Sequence, residues 1–117
     1  MSNDRLKQLI AVGPVGVAMF SNPQCLMGYK NGILTDRDCH CSDPQKNLVN
    51  HAVTIVGYGK ADNNKDCAGY WLVKNSWGPR WGDEGFFKLC IPHESEDAQL
   101  KSGTCQVKSY VQYPLMN

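Results

Sequence analysis

An α+β fold, a small antiparallel barrel-like sheet with one peripheral helix, is predicted by three observations. A single amphipathic helical segment opens the chain, a succession of short strands rich in β-branched and aromatic residues follows it, and polar loops separate the strands. The 117 residues, 42% of them hydrophobic, can bury one core and leave no room for two. The chain therefore reads as one small domain or as one lobe of a larger one.

The elements follow in order. Asn3 or Asp4 caps a short helix in which Leu6, Leu9 and Ile10 share one face at i, i+3, i+4 spacing, and Gly13-Pro14 stops it. VGVAMF (Val15 to Phe20) reads as a buried strand. Segments 53–58, 70–75, 85–90 and 105–112 alternate or run apolar, as strands do. Loops rich in Asn, Asp, Lys and Ser at 42–47, 60–66 and 93–102 divide them, and no repeat or low-complexity tract interrupts the pattern.

Composition excludes several function classes. A net charge of +1 with no basic stripe argues against a nucleic-acid partner. No apolar run approaches the ~20 residues that span a bilayer, so no membrane partner is expected. Residues 1–20 lack a charged region followed by an uninterrupted apolar stretch, so no secretory signal is read there. Six cysteines in so short a chain fit an oxidising compartment, and an even count permits three bridges in any of fifteen connectivities. Cys67 precedes one predicted strand and Cys90 ends its hairpin partner, so antiparallel pairing across KNSWGPRWGDEG brings the two together. A metal site at Cys39-His40-Cys41 is a poor reading, because adjacent ligands strain a tetrahedron and no second C-x-x-C pair completes it. Neither metal nor cofactor is expected, and His40 and His93, in polar loops, carry no assigned chemistry.

Two segments carry the chemistry: NHAVTIVGYG (Asn50 to Gly59) and YWLVKNSWGPRWGDEGFFKLC (Tyr70 to Cys90). A cysteine attacks a peptide carbonyl as thiolate, and a neighbouring imidazole takes its proton and stabilises the anion. His51 is the candidate base. Asn75, whose amide oxygen can accept from the far ring nitrogen, is the candidate orienting group. Trp77, two residues on, covers the pair and excludes water from the bond.

Five segments in order resemble the C-terminal half of a papain-like, cathepsin-type cysteine protease. GPVGVAM (Gly13 to Met19) resembles the opening of that family's second domain and YKNGILTDRDC (Tyr29 to Cys39) its approach to a disulfide cysteine. NHAV with VGYG resembles the histidine strand, KNSWGPRWGDEGF the asparagine turn, and GTCQVKSYVQYPLMN (Gly103 to Asn117) the C-terminal strand. The resemblance implies a disulfide between Cys39 and Cys105, which with Cys67–Cys90 leaves Cys25 with Cys41. It places Ala18, Val49, Asn50, Ala52 and Tyr110 at the substrate, with Tyr110 at the bottom of the S2 pocket, and Trp81 on the leaving-group side.

The resemblance also implies what lies elsewhere. The family's nucleophile sits in a C-G-[SA]-C-[WY] setting roughly 130 to 150 residues before its histidine and asparagine, which puts it ahead of Met1. Cys25, in SNPQCLMGY, has neither the flanking glycine and tryptophan nor a helix start to lower its pKa. The expected arrangement is a C-terminal lobe over residues 1–117, inactive alone, packed across a cleft against a helical N-terminal lobe that bears the nucleophile. Implied partners are that lobe, peptide or protein substrates and cystatin-like inhibitors, with self-association if the cleft face is left uncovered. The implied location is lysosomal, vacuolar or secreted. A non-catalytic homologue with its nucleophile replaced, acting as a binder or scaffold, is the alternative.

Overall fold

The computed structural model describes residues 2–21, 23–43, 46, 48–93 and 103–112. Helix α1 spans Asn3–Val12 and buries Leu6 and Leu9 against the sheet. Its cap is Ser2, one residue earlier than the sequence predicts: Ser2 Oγ accepts from the Arg5 N–H at 3.1 Å, leaving Asn3 and Asp4 inside the first turn. Strand β1 (Val15–Met19) follows with Val15, Val17 and Met19 buried. Two helical turns absent from the sequence reading come next, α2 (Pro23–Leu26) and α3 (Asp36–Cys39), with the two-residue strand β2 (Ile33–Leu34) between them.

Strands β3 (His51–Lys60), β4 (Cys67–Lys74), β5 (Phe86–Pro92) and β6 (Tyr110–Gln112) complete a six-stranded sheet in the order β2-β5-β4-β3-β1-β6. All neighbours are antiparallel except β2 with β5, which run parallel. No pairing joins the outer strands β2 and β6 among the described residues. The predicted strand 105–112 is shorter. Thr104–Gln106 form a 3₁₀ turn in which Cys105 and Gln106 adopt positive φ (55° and 65°), a conformation that cannot continue a strand. The loop predicted at 93–102 lies outside the described residues from 94 onward, as do 113–117.

One core holds these elements together. Trp71, Val73, Ile55, Phe87 and Leu89 from the central strands pack with Leu6, Met19, Leu26 and Val107, all essentially inaccessible. Gly59 lies under Tyr70 of the paired strand: a Cβ there would meet the Tyr70 hydroxyl at 2.5 Å and the ring carbon that bears it at 2.6 Å, so the ring would have to shift.

All six cysteines are bridged, and two of the pairings differ from those expected. Cys67 and Cys90 join β4 to β5 with Cα atoms 5.5 Å apart. The other bridges are Cys25–Cys39 and Cys41–Cys105, with Cα separations of 5.3 and 4.4 Å, in place of Cys39–Cys105 and Cys25–Cys41. A local turn decides this. Thr35 caps α3, and His40 ends it in the left-handed region (φ 50°, ψ 50°), so Cys39 stays beside α2 while the chain reverses before Cys41. Asp36 Oδ1 accepts from the N–H groups of Cys41 (3.0 Å) and Ser42 (2.8 Å), and Ser42 Oγ accepts from the Cys105 N–H at 2.9 Å. Cys41 is thereby pinned to the 3₁₀ turn. Its bridge spans 64 residues and contributes about 4 kcal/mol by restricting the unfolded chain.

Tyr29 ties the segment before β2 to β5. Its hydroxyl donates to the Gly32 carbonyl (2.6 Å) and accepts from the Lys88 N–H (3.3 Å). Burial raises the phenol pKa, the Lys88 N–H lowers it and the Asp83 charge raises it, with a net upward shift. The stability lent by the neutral phenol is therefore complete below the free-tyrosine value near 10 and lost as pH rises through the folded-state value. Tyr29→Phe should cost about 1–2 kcal/mol in urea unfolding near neutral pH. The wild-type advantage should shrink above about pH 10; equal stability of the two proteins at neutral pH would contradict this account.

Candidate active site

Strand register assembles the site. Cross-strand partners share a face of an antiparallel sheet, and Ala18 of β1 pairs with Ala52 of β3 on one side and Tyr110 of β6 on the other. The neighbouring row runs Gln112, Gly16, Thr54, Lys74. These rows floor an open groove of about 760 Å³, walled at one end by Asn75 and Ser76. Side chains one residue along point the opposite way: Val17, Val53 and Val111 form a row facing the core, although Val111 is only half-buried.

His51 opens β3, opposite the buried Met19, on the side of the strand that carries Val53 and Ile55. At the strand end its ring passes beyond the core and meets Asn75, the residue after β4. His51 Nε2 donates to Asn75 Oδ1 at 2.8 Å. The amide orientation is set by a second donor, because the Ser76 N–H also donates to Oδ1 at 2.8 Å. An oxygen facing two donors can only accept, so the ring proton belongs on Nε2 and the lone pair on Nδ1. Asn75 is 4% exposed, and its Nδ2 is buried without a partner among the described residues.

The loop between β4 and β5 fixes Asn75. Its N–H donates to the Gly85 carbonyl (3.0 Å), and the Gly85 N–H donates to the Trp81 carbonyl (2.8 Å). Gly85 has φ 93°, and a Cβ on it would press on the Gly78 carbonyl at 3.2 Å, so the turn needs glycine here. Trp77 lies against the imidazole with ring centroids 5.3 Å apart. Trp81 meets Trp77 edge-on at 5.2 Å and Phe87 at 5.6 Å, so an aromatic series runs from the core to His51. Trp81 is further held by donation from Nε1 to the Leu26 carbonyl at 2.9 Å. Trp77 remains 41% exposed and, with Trp81, Ser21 and Met27, lines a second groove of about 310 Å³.

The structure thus brings Ala18, Ala52, Tyr110 and Asn75 to one groove, Trp77 and Trp81 to another, and sets His51 next to both. Val49 is half-buried and lines neither; the Asn50 side chain accepts from the Ser21 N–H (2.7 Å) and donates to the Ser21 carbonyl (3.4 Å), which holds the segment before His51 to the end of β1. Sequence reasoning missed Thr54, Lys74 and Gln112 in the first groove and Ser21 and Met27 in the second; the alternation of β1 and β3 was the available signal for Thr54. Cys25 lies in α2, two residues after its start at Pro23 and contrary to the expectation of no helix start there, but its sulfur is bridged to Cys39 and offers no thiolate.

Residues 1–115 match the family model described as Papain family cysteine protease. The chain belongs to this family. Cathepsin L2 of Homo sapiens is 38% identical over 109 residues, covering 93% of this chain and 29% of that protein. Procathepsin L of Rattus norvegicus is 36% identical over 114 residues, covering 96% and 30%. Among solved structures, the bromelain protease from Ananas comosus in complex with the E64 inhibitor superposes with a TM-score of 0.74 at 32% identity, over 97% of this chain and 46% of that one. The Amb a 11 cysteine protease, a major ragweed pollen allergen, in its proform gives 0.75 at 32% identity, over 99% and 30%. The chain spans less than a third of the length of these curated relatives. Its fold is the α+β arrangement of a papain-like C-terminal lobe.

The tautomer assignment is directly testable. Ring nitrogen chemical shifts of neutral His51 should report a proton on Nε2, and Asn75→Ala, which removes the acceptor, should give an averaged tautomer signal. A proton on Nδ1 in the wild-type chain would overturn the orienting role of Asn75.

Proposed function

We propose that this chain supplies the general base and its orienting residue to a cysteine-type peptidase whose nucleophile resides on an N-terminal helical lobe. The observation that supports it best is the His51 Nε2 to Asn75 Oδ1 bond of 2.8 Å, which leaves Nδ1 as the free basic nitrogen. In the assembled enzyme Nδ1 takes the thiol proton, the thiolate attacks the scissile carbonyl carbon, and the imidazolium returns the proton to the departing amine. Water then enters by the same base to release the acyl group. Trp77, covering the pair, keeps the Nε2–Oδ1 bond in a low-dielectric setting.

Lacking the nucleophile, the chain alone should neither cleave peptides nor react with E64. In the two-lobed protein His51→Ala should lower kcat/KM by about 10²- to 10⁴-fold. Asn75→Ala should lower it by about 10- to 100-fold, the rate equivalent of one hydrogen bond to a charged group. Activity of the isolated chain, or full activity of the His51→Ala protein, would refute the reading, and the non-catalytic alternative predicts no turnover from the two-lobed wild type.

The groove floored by Ala18, Ala52 and Tyr110 takes the residue two positions before the scissile bond. Tyr110 is 63% exposed at its outer strand, where the ring shortens the pocket and presents a hydroxyl with no compensating negative charge. Substrates with P2 leucine should therefore exceed those with P2 phenylalanine and P2 arginine in kcat/KM, and a P2-arginine winner defeats the assignment. Cystatin-like inhibitors fit the same cleft. Three disulfides suit a lysosomal, vacuolar or secreted location.

A further inference from the structure

Asn31 and Gly32 form the one Asn-Gly pair in the sequence and sit in the bend between Tyr29 and β2. Both are exposed, and neither the Asn31 amide nor the Gly32 N–H makes a hydrogen bond among the described residues. Gly32 has φ 88°, and a Cβ placed on it would meet nothing within 4 Å, so the space beside the 31–32 peptide is open. The amides of Asn50, Asn64 and Asn75, by contrast, are engaged. Asn50 is tied through both amide atoms to Ser21, Asn64 Oδ1 accepts from the Asp66 and Cys67 N–H groups at 2.9 Å each, and the oxygen of the buried Asn75 meets two donors.

We propose that Asn31 is a self-modification site, at which the Gly32 main-chain nitrogen closes on the Asn31 side-chain amide and converts the residue to isoaspartate. The Gly32 nitrogen, having given its proton to solvent base, attacks Asn31 Cγ. The new C–N bond closes a succinimide ring, the Cγ–Nδ2 bond breaks, and Nδ2 leaves with a proton from water as ammonia. Water then adds to one of the two ring carbonyls, the bond from that carbon to the Gly32 nitrogen breaks, and the nitrogen recovers a proton. Opening at the Asn31 main-chain carbonyl leaves the chain running through Cγ, which is isoaspartate; opening at Cγ gives aspartate. One water is consumed, one ammonia is released, and nothing is oxidised or reduced. Ring closure needs a free amide, an unpaired N–H and no side chain on the following residue, and all three conditions meet at this pair.

The consequence falls on Tyr29. The Gly32 carbonyl accepts from the Tyr29 hydroxyl at 2.6 Å, the same hydroxyl accepts from the Lys88 N–H at 3.3 Å, and Ile33, the next residue, pairs with Lys88. Isoaspartate inserts one extra carbon into the main chain between residues 31 and 32 and leaves a carboxylate that is ionised at neutral pH. The Gly32 carbonyl is thereby displaced from Tyr29. Strand β2 contains only Ile33 and Leu34, so this edge of the sheet has little pairing of its own with which to absorb the change. Conversion of Asn31 therefore unfastens the contact by which Tyr29 joins the segment before β2 to β5.

The full chain, its disulfides intact, is aged in neutral and in mildly alkaline buffer, then reduced, alkylated, digested with trypsin and mapped by mass spectrometry against an unaged sample. Trypsin releases residues 31–37, bounded by Lys30 and Arg37. That peptide should gain the mass of an amide-to-acid conversion, with isoaspartate as the major product by electron-transfer fragmentation, and faster in the alkaline buffer. Asn31→Gln, which must close a larger ring, should convert more slowly by more than an order of magnitude. An unchanged peptide, conversion no faster than at Asn63 and Asn64, or aspartate as the sole product would each overturn the site. The converted protein, separated by ion exchange, should unfold at lower urea than the unconverted one, and this loss should largely vanish in Tyr29→Phe; an equal loss in both backgrounds would overturn the link to Tyr29. The wild-type map decides the site even if a variant does not fold, and because it reads mass it is independent of peptidase activity.

Discussion

A one-residue irregularity in β3 governs where the site forms. Between Ile55 and Gly57 the β3–β4 register slips, so the pairs Thr54/Lys74 and Ile55/Val73 are offset by one residue from Gly57/Leu72 onward. Continued beyond Thr54/Lys74, the count brings Asn75 level with Val53 and Trp77 level with His51, which matches the imidazole–indole contact. Because side chains alternate with a period of two, carrying the other register to the strand end would turn Asn75 to the opposite face. The bulge lets the VGYG end and the His51 end of one strand present opposite alternations to β4.

The environment of His51 follows from that register. Phe87 in the core, then Trp81, then Trp77 present successive edge or tilted contacts that end on the imidazole. The tight loop closed by Gly85 exists to deliver these rings and the Asn75 main chain to the same place. Trp77 lies against the ring, and Nε2 meets the oxygen of the buried Asn75 amide. Rigid packing here substitutes for the long secondary structure that the loop lacks.

Much of this was legible in the residues. His51, Asn75 and Trp77 stood out because each has a chemical reason to be near the others, and the strands around them carry clear apolar periodicity. The parts that were not legible depend on single backbone conformations. Cys39 and Cys41 are two residues apart, and only the left-handed turn at His40 decides which one faces Cys105. The apolar run after Cys105 reads as strand, yet positive φ at Cys105 and Gln106 delays the strand to Tyr110. Ser2 outcompetes Asn3 and Asp4 as a cap because its hydroxyl sits three residues before a free N–H, a matter of one residue that composition cannot resolve. The parallel partner β2 is two residues long, too short to carry a pattern.

The choice of asparagine over aspartate at position 75 has a physical basis in the same geometry. The amide leaves Nδ2 buried and unpartnered among the described residues, a cost of about 1–3 kcal/mol that a carboxylate, having only acceptors, would avoid. A carboxylate hydrogen-bonded to Nε2 would instead place a full charge beside the ring and favour imidazolium by about 4 kcal/mol at an effective dielectric of 20. Under the peptidase reading proposed above, the imidazolium would be matched by a thiolate, and a second anion would hold the proton that has to pass to the departing amine. An amide oxygen fixes the tautomer and the ring plane through one bond of 2.8 Å without adding a charge beside the ring. The unsatisfied donor is thus the smaller of two penalties, which explains why a buried polar defect is retained at this position.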